Sequence, residues 1–151
     1  MATKQEIDGF LAERSLALVG VSRSGKGFGN AVLKDLTKAG YRVFPIHPEA
    51  AELGGTRAYP SFGALPEPVG GVVLVVPPAQ SEQVVKDAAA HGITRVWFQQ
   101  GAESDAAIAY CRDRGMTAVH GQCILMYPKP ATSWIHGAHR WVSDALGRTP
   151  Q

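Results

Sequence analysis

A segment rich in glycine, serine and basic residues has the composition of a phosphate-binding loop: GVSRSGKGFG, residues 20–29. Glycines let backbone N–H groups approach an anion closely, and Arg23 and Lys26 add full positive charges. The segment joins an apolar run to a helical pattern, so the amino end of a helix adds partial positive charge. No acidic residue lies between Arg14 and Lys34 to cancel it. The pattern predicts a phosphate site; the alternative is a glycine-rich turn with solvated basic side chains.

Two common nucleotide-binding motifs do not fit this segment. A Walker loop ends in Gly-Lys-Ser or Gly-Lys-Thr, whereas Lys26 is followed by Gly27, so nucleotide hydrolysis with Mg²⁺ is not expected. An NAD site has glycines at G-x-G-x-x-G and an acidic residue about 20 positions further on, at the tip of the second strand. Here Ser22 breaks the glycine spacing, and no acidic residue occurs between Asp35 and Glu49. The segment therefore favours a phosphate-bearing adenine nucleotide other than NAD.

Strand and helix patterns alternate along the chain, which is typical of an α/β fold. Short apolar runs end at glycine or proline, as buried strands of a parallel sheet do. We predict a Rossmann-like open parallel sheet of about five strands with helices on both faces, which binds ligands at the carboxyl ends of its strands. The expected strands cover residues 15–20, 41–46, 71–76, 95–98 and 116–119, and the expected helices cover residues 3–13, 30–39, 81–91 and 104–114.

Two local expectations accompany these elements. Ser81 is expected to be the N-cap of the third helix, because a serine hydroxyl can accept a hydrogen bond from a backbone N–H of the first turn. Residues 49–68 contain two adjacent glycines and three prolines and show little periodicity. We therefore expect a surface loop there, with one helical turn at residues 61–65.

The composition describes one ordinary soluble domain over residues 1–151, in which residues 128–151 form a C-terminal extension with a helix. Of the 151 residues, 45% are hydrophobic and 19% are charged, and the net charge of +2 offers no basic face for nucleic acid. The most apolar stretch, residues 69–79, is too short to cross a bilayer. The amino-terminal residues include Lys4, Glu6 and Asp8 and no long apolar run, so we do not expect secretion. We therefore expect a cytoplasmic protein with no nucleic-acid or membrane partner.

Other groups that could do chemistry have simpler structural interpretations. Cys111 and Cys123 are too few for a disulfide scaffold and are expected to be reduced, with Cys111 packed inside a helix. His136 and His139 are spaced to share a helix face, but no third ligand has a fitting spacing, so no metal site is expected. The tryptophans that flank them are expected to cap the core or to form a homodimer contact. No G-x-S-x-G elbow is present to indicate an esterase.

Five short motifs follow the expected strands in order: GVS at residues 20–22, PIHP at 45–48, VPP at 76–78, QQG at 99–101 and HGQC at 120–123. Together they resemble the small stand-alone CoA-binding proteins. They are also similar to the N-terminal CoA-binding domain of the succinyl-CoA synthetase alpha subunit. The resemblance extends over residues 15–127, which is most of the chain.

The resemblance implies that CoA or acyl-CoA is the ligand and that it stretches across the strand ends. Its diphosphate would lie at the first loop, its adenosine near the end of the second strand and its pantetheine along the third. Its thiol end would lie near the fourth and fifth strand ends, where the ligase domain has a related Asn-Cys turn. The implied residues are, in that order, Gly20, Val21, Ser22, Arg23 and Lys26; Pro45, His47 and Pro48; Val76, Pro77 and Pro78; and Gln99, Gln100, Gly101 and Cys123.

Two of these residues also have a purely structural interpretation. His47 either ends a strand or stacks on, or hydrogen-bonds to, the adenine or ribose. Cys123 is either a structural thiol or a reactive one that forms a mixed disulfide with CoA.

The chain departs from the ligase pattern at two points. Gln122 stands where the ligases have asparagine, and we expect no second domain of the kind that brings the phosphorylated histidine of the ligases. We therefore expect a non-catalytic CoA-binding protein with no catalytic residues of its own, such as a carrier, a sensor or a partner subunit for acyl-CoA chemistry. The alternatives are a component of an acyl-CoA ligase or transferase that another chain completes, and an NAD(P)-binding redox protein.

Overall fold

A computed structural model describes residues 3–126 of the chain. Within that part the fold is α/β, with helices and strands in the predicted order. The helices are α1 (Lys4–Leu11), α2 (Phe28–Lys38), α3 (Pro78–Ala90) and α4 (Asp105–Asp113), and the strands are β1 (Ser15–Val19), β2 (Arg42–Ile46), β3 (Glu52–Leu53), β4 (Thr56–Arg57), β5 (Gly71–Leu74), β6 (Arg95–Phe98) and β7 (Thr117–Val119).

Five of the strands form a parallel sheet in the order β2-β1-β5-β6-β7, which confirms the predicted Rossmann-like architecture. In β1, Leu18 pairs with Pro45 of β2 on one side and with Val73 of β5 on the other. The chain runs from β1 outward to β2 and then returns across β1 to β5, so the strand order reverses between β1 and β5. Open α/β sheets bind ligands in the crevice at such a reversal, beyond the carboxyl ends of the strands.

Continuous apolar runs explain why the central strands are buried on both faces. Leu16, Leu18 and Trp97 belong to the core layer that α1 and α2 complete. Ala17 and Leu74 belong to the layer that α3 and α4 complete on the other face. This alternation has the two-residue period of a strand, and all five side chains are fully buried. The two layers hold the carboxyl ends of the five strands at one edge.

The segment after β2 is not the irregular loop that the sequence predicts, because β3 and β4 form a short antiparallel hairpin. Its turn consists of Gly54 and Gly55, with φ of +56° and +79°. Two-residue hairpin turns favour such angles, and glycine adopts them without steric strain. Strands of two residues are too short to show a periodic pattern. The predicted helical turn at residues 61–65 is confirmed as a 3₁₀ helix at Phe62–Ala64.

The third helix begins earlier than predicted, so the prediction of Ser81 as its N-cap is wrong. α3 starts at Pro78 with Pro77 as the N-cap, and Ser81 lies buried in the helix. Proline favours the first helical position because its fixed φ suits a helix and it has no N–H to leave unpaired. The Ser81 hydroxyl instead donates a hydrogen bond to the Ala102 carbonyl oxygen.

Some predictions fall outside the described residues. They are the C-terminal extension at residues 128–151 with its helix, and the paired histidines His136 and His139. Within residues 3–126, no helix is long and apolar enough to span a membrane, and no three potential metal ligands are close enough together to hold a metal ion.

Candidate functional site

Two glycines allow the carboxyl end of β1 to pack closely against its neighbours. Gly20 has φ of +121°, and a Cβ atom there would overlap the Val75 carbonyl oxygen just after β5. A Cβ atom at Gly29 would overlap the Gly20 carbonyl oxygen. Only glycine permits these approaches, which place the first turn of α2 directly against the end of β1. We call residues 20–30 the glycine corner.

The amino end of α2 lies in the glycine corner and leaves backbone N–H groups unpaired. Its N-cap, Gly27, makes no side-chain cap, and the first turn contains no acidic residue. Among the described residues, the N–H groups of Phe28 and Gly29 have no protein acceptor. Such a helix end carries partial positive charge and attracts anions. Phe28 is 47% exposed and adds apolar surface beside these groups.

Asn30 fixes the shape of the loop, a role that the sequence analysis missed. Its Oδ1 accepts a hydrogen bond of 3.1 Å from the Ser22 N–H, and its Nδ2 donates one of 3.0 Å to the Ser22 carbonyl oxygen. The available signal was an asparagine near the start of a helix, because short polar side chains there bond to nearby backbone. These two bonds hold the loop in one conformation before a ligand arrives.

The serine hydroxyls of the glycine corner bond to the loop itself. The Ser22 Oγ accepts from the Ser24 N–H at 3.1 Å, and the Ser24 Oγ accepts from the Lys26 N–H at 3.2 Å. The Ser22 N–H is already bonded to Asn30. Several N–H groups of the loop are therefore paired within it, whereas no protein acceptor is found among the described residues for the N–H groups of residues 28–30 at the helix end.

The two predicted cations of the glycine corner differ in their partners. The Arg23 Nη1 lies 3.7 Å from the Oε1 of Glu49, which follows β2. Within residues 3–126, Lys26 has no carboxylate at salt-bridge distance. Both basic side chains are exposed. Because water screens exposed charges, the Arg23–Glu49 pair holds the loop only weakly.

His47 follows β2 directly, and one of its ring nitrogens is hydrogen-bonded to the backbone of the following loop. Its Nδ1 accepts hydrogen bonds of 3.0 Å from the backbone N–H groups of both Glu49 and Ala50. In the neutral ring the proton therefore sits on Nε2, which is the atom left for a ligand. Of the other two residues implied near adenosine, Pro45 is buried in β2 and Pro48 is exposed.

The residues after β5 lie at the strand reversal, next to the glycine corner. Val76 is 9% exposed and packs in the core layer of α3 and α4. Pro77 and Pro78 are exposed at the start of α3. The apolar surface that this strand end presents to solvent therefore comes mainly from the two prolines.

The side chain of Gln99 joins the end of β6 to the end of β7. Gln99 is 2% exposed, and its Oε1 accepts a hydrogen bond of 2.7 Å from the Ile124 N–H. Its Nε2 donates to the Cys123 Sγ at 3.2 Å. We call residues 99–103 and 120–124 the glutamine corner. The resemblance implied a place near the ligand thiol for Gln99, but its amide is bonded within the protein.

Three implied ligand residues stay accessible in the glutamine corner. Gln100 and Gly101 are exposed, and Cys123 is half-buried. Gly101 has φ of +97°, and its N–H donates a hydrogen bond of 2.6 Å to the Glu103 carboxylate. These residues therefore offer a turn with an accessible thiol beside it.

Two further titratable groups are held in their neutral forms by burial. Cys111 is fully buried in α4, as expected, and burial raises its pKa to about 11. The Nε2 of His120, just after β7, is buried without a hydrogen-bond partner among the described residues. Burial lowers the pKa of this imidazole below its usual value, so it is neutral at pH 7.

Two cavities lie near the carboxyl end of β1. One of about 490 Å³ lies between α2 and the β3–β4 hairpin, with Lys34 and Lys38 on its wall. The other, of about 360 Å³, is lined by Val19 and Ile46 at the ends of β1 and β2 and by Val84 of α3. The larger cavity also borders Gly25 and Asn30 of the glycine corner. The smaller one has none of the implied ligand residues in its wall, but it lies beside the ends of β1 and β2.

The glycine corner and the glutamine corner lie at different places along the same edge. β6 is two strands from β1 in the sheet, and β7 is three strands away. Since neighbouring strands lie about 4.8 Å apart, the two corners are separated by about 10–14 Å. A ligand that contacts both corners must therefore be extended.

Comparison with known protein families identifies one that matches this chain. Residues 14–128 match the family described as the CoA binding domain. The chain belongs to this family. The CoA-binding domain thus covers almost the whole described part of the chain, including both corners.

Similar chains occur both as proteins of about this length and as parts of much longer ones. A conserved hypothetical protein from Pyrococcus furiosus is 39% identical with a TM-score of 0.70, and the match covers 74% of this chain and 97% of that one. The uncharacterized protein YneT of Bacillus subtilis is 26% identical over 123 residues, which are 81% of this chain and 91% of YneT.

The larger relatives include CoA ligases. The alpha subunit of the ADP-forming acetate–CoA ligase II of Pyrococcus furiosus is 30% identical over 91 residues, which are 60% of this chain and 20% of that subunit. This chain spans 11–20% of the length of the curated ligases and synthases that it matches.

Proposed function

We propose that this CoA-binding domain binds CoA or acyl-CoA in an extended conformation along the carboxyl edge of its sheet, and that it catalyses no reaction by itself. The observation that carries the proposal is the amino end of α2, which has no side-chain cap and no acidic residue in its first turn. Arg23 and Lys26 stand in the loop that precedes it. A diphosphate there would gain both helix-end N–H groups and cationic partners.

The remaining parts of CoA have plausible partners along the same edge. The adenosine would lie at the end of β2, where His47 offers Nε2 and the cavity beside Val19 and Ile46 offers an apolar floor. The pantetheine would pass Pro77 and Pro78. The thiol or thioester would reach Gln100, Gly101 and Cys123 in the glutamine corner, which requires the extended shape of the ligand.

The similarity to ligase subunits supports a second candidate, in which this chain supplies the CoA site of an acyl-CoA ligase or transferase and another chain supplies the chemistry. A homodimer is the other assembly that we consider. We expect the protein in the cytoplasm, where thiols such as those of Cys111 and Cys123 stay reduced.

Calorimetric titration of the purified protein with CoA, NADH and ATP tests the proposal. We expect CoA to bind more tightly than either of the other two nucleotides. Tight binding of NADH together with no heat from CoA would overturn the proposal. Turnover of an acyl substrate by the isolated chain would overturn the claim that it is not catalytic, and turnover only with a co-purifying protein would establish the second candidate.

A further inference from the structure

Arg23 is paired across the gap between two loops with an acidic residue that the resemblance does not assign. The Arg23 Nη1 lies 3.7 Å from the Glu49 Oε1, with side chains 62% and 72% exposed. Arg23 belongs to the loop after β1, and Glu49 to the loop after β2. These two strands are neighbours in the sheet, so the pair closes the glycine corner on the side of β2.

The backbone of Glu49 is held firmly in this place. Its N–H and that of Ala50 both donate hydrogen bonds of 3.0 Å to the Nδ1 of His47. The His47 N–H in turn donates to the Tyr59 carbonyl oxygen at 2.8 Å. The Glu49 side chain is 72% exposed and lies beside the positive charge of Arg23.

In NAD-binding folds, an acid at the end of the second strand receives the ribose hydroxyls. Glu49 lies in the loop after the second strand, but its carboxylate is directed toward a cation of the glycine corner. A diphosphate that binds Arg23 would therefore lie beside this carboxylate and compete with it for the guanidinium. The diphosphate would also be repelled by the negative charge of Glu49. Salt would screen this repulsion only in part, because the Debye length is about 8 Å at physiological salt.

We infer that Glu49 competes with the ligand's diphosphate for Arg23 and so limits the affinity of the site for anionic nucleotides. This inference rests on the proposed function. Removal of the carboxylate charge would release Arg23 for the ligand and remove the repulsion. Because exposed ion pairs contribute at most about 1 kcal/mol, the expected gain is about two- to fivefold in Kd.

The test compares CoA binding to the wild-type protein, Glu49→Gln, Arg23→Ala and the double variant by calorimetry at low and high salt. Glu52→Gln is the matched control, because it makes the same charge change three residues away on an exposed acid with no ion pair among the described residues. We expect Glu49→Gln to bind CoA about two- to fivefold more tightly at low salt. The gain should shrink at high salt and vanish when Arg23 is also replaced.

Three results would overturn the inference while leaving the proposed function intact. The first is that Glu49→Gln binds CoA no more tightly than the wild-type protein does. Weaker binding by this variant would indicate that the carboxylate accepts hydrogen bonds from ligand hydroxyls. The second is an equal gain in Glu52→Gln, which would reflect net charge alone. The third is a gain that persists without Arg23. Absence of CoA binding in every variant and in the wild type would overturn the proposed function together with the inference.

Discussion

The glycine corner and the glutamine corner occupy the same edge of one sheet, yet their polar groups are used in opposite ways. In the glycine corner, Arg23 and Lys26 are exposed, and the amino end of α2 has N–H groups without protein acceptors. In the glutamine corner, Gln99 is buried, and both atoms of its amide are bonded to residues 123 and 124. The first corner leaves helix-end N–H groups and cations for an anion, whereas in the second the Gln99 amide is already paired and Gln100 and Gly101 stay exposed.

The difference shows that a polar residue at a strand end is a poor ligand candidate when it is buried and all its polar atoms are hydrogen-bonded within the protein. Gln99 and Gln100 are neighbours in one motif, but only Gln100 is exposed. Ser22 and Arg23 are also neighbours, and only the arginine side chain extends away from the loop's internal hydrogen bonds.

The largest effect is expected at the close approach that shapes the glycine corner. Gly20→Ala would drive a Cβ atom into the Val75 carbonyl oxygen at a φ that alanine rarely adopts. We expect the free energy of unfolding to fall by more than about 3 kcal/mol in urea denaturation. Gly25→Ala is the control, because Gly25 has φ of +79° but open space around it, and it should lose only about 1 kcal/mol. Equal losses would show that the close approach is unimportant.

A smaller effect is expected from opening the glutamine corner. Gln99→Ala leaves the buried Ile124 N–H without its acceptor, so the free energy of unfolding should fall by about 1–3 kcal/mol. Gln100→Ala, at the exposed neighbour, should change it by no more than about 0.5 kcal/mol. Chemical denaturation of both variants measures the difference. If Gln100→Ala proved the more damaging change, the assignment of the structural and exposed glutamines would be reversed.

A modest effect on affinity is expected from the cations of the glycine corner. Lys26→Ala or Arg23→Ala should weaken CoA binding by about three- to tenfold at low salt, because each removes a partner for the diphosphate. The loss should shrink as salt is added, since screening weakens charge–phosphate attraction. Arg112→Ala, in the last turn of α4, makes the same charge change on an exposed side chain and should leave the Kd unaltered. Unchanged affinity in both corner variants would remove the phosphate assignment.

The smallest effect on stability concerns the buried thiol of Cys111. Its folded-state pKa of about 11 lies above the value of 9.0 for an unperturbed thiol. The unfolded chain therefore loses this proton first as the pH rises. The stability that the neutral thiol contributes is intact below pH 9 and declines as the pH rises toward about 11. Replacement of Cys111 by alanine should flatten this part of the stability profile, and an identical slope in the variant would exclude the thiol as its source.

The sequence predicted the fold well because the signals were local. Unbroken apolar runs marked the central strands, and the glycines and basic residues after β1 marked the loop at the strand reversal. The β3–β4 hairpin was missed because two-residue strands have no period, and the start of α3 was misplaced because proline at the first helical position outweighed a possible serine cap.

The side-chain pairings of the site could not be predicted in the same way. Asn30 bonds to Ser22, Gln99 bonds to Ile124, and Arg23 approaches Glu49 across two loops. The first pair is eight residues apart, and the other two pairs are 25 and 26 residues apart along the chain. Such contacts depend on how the strands are arranged, so no pattern within one segment reveals them.

A crystal structure of the protein with bound CoA tests the central claim most directly. We predict the diphosphate at the glycine corner, within hydrogen-bond distance of the N–H groups of Phe28 or Gly29, with Arg23 or Lys26 turned toward it. CoA bound elsewhere while this corner stays empty, or both basic side chains directed into bulk water beside a bound diphosphate, would contradict the account.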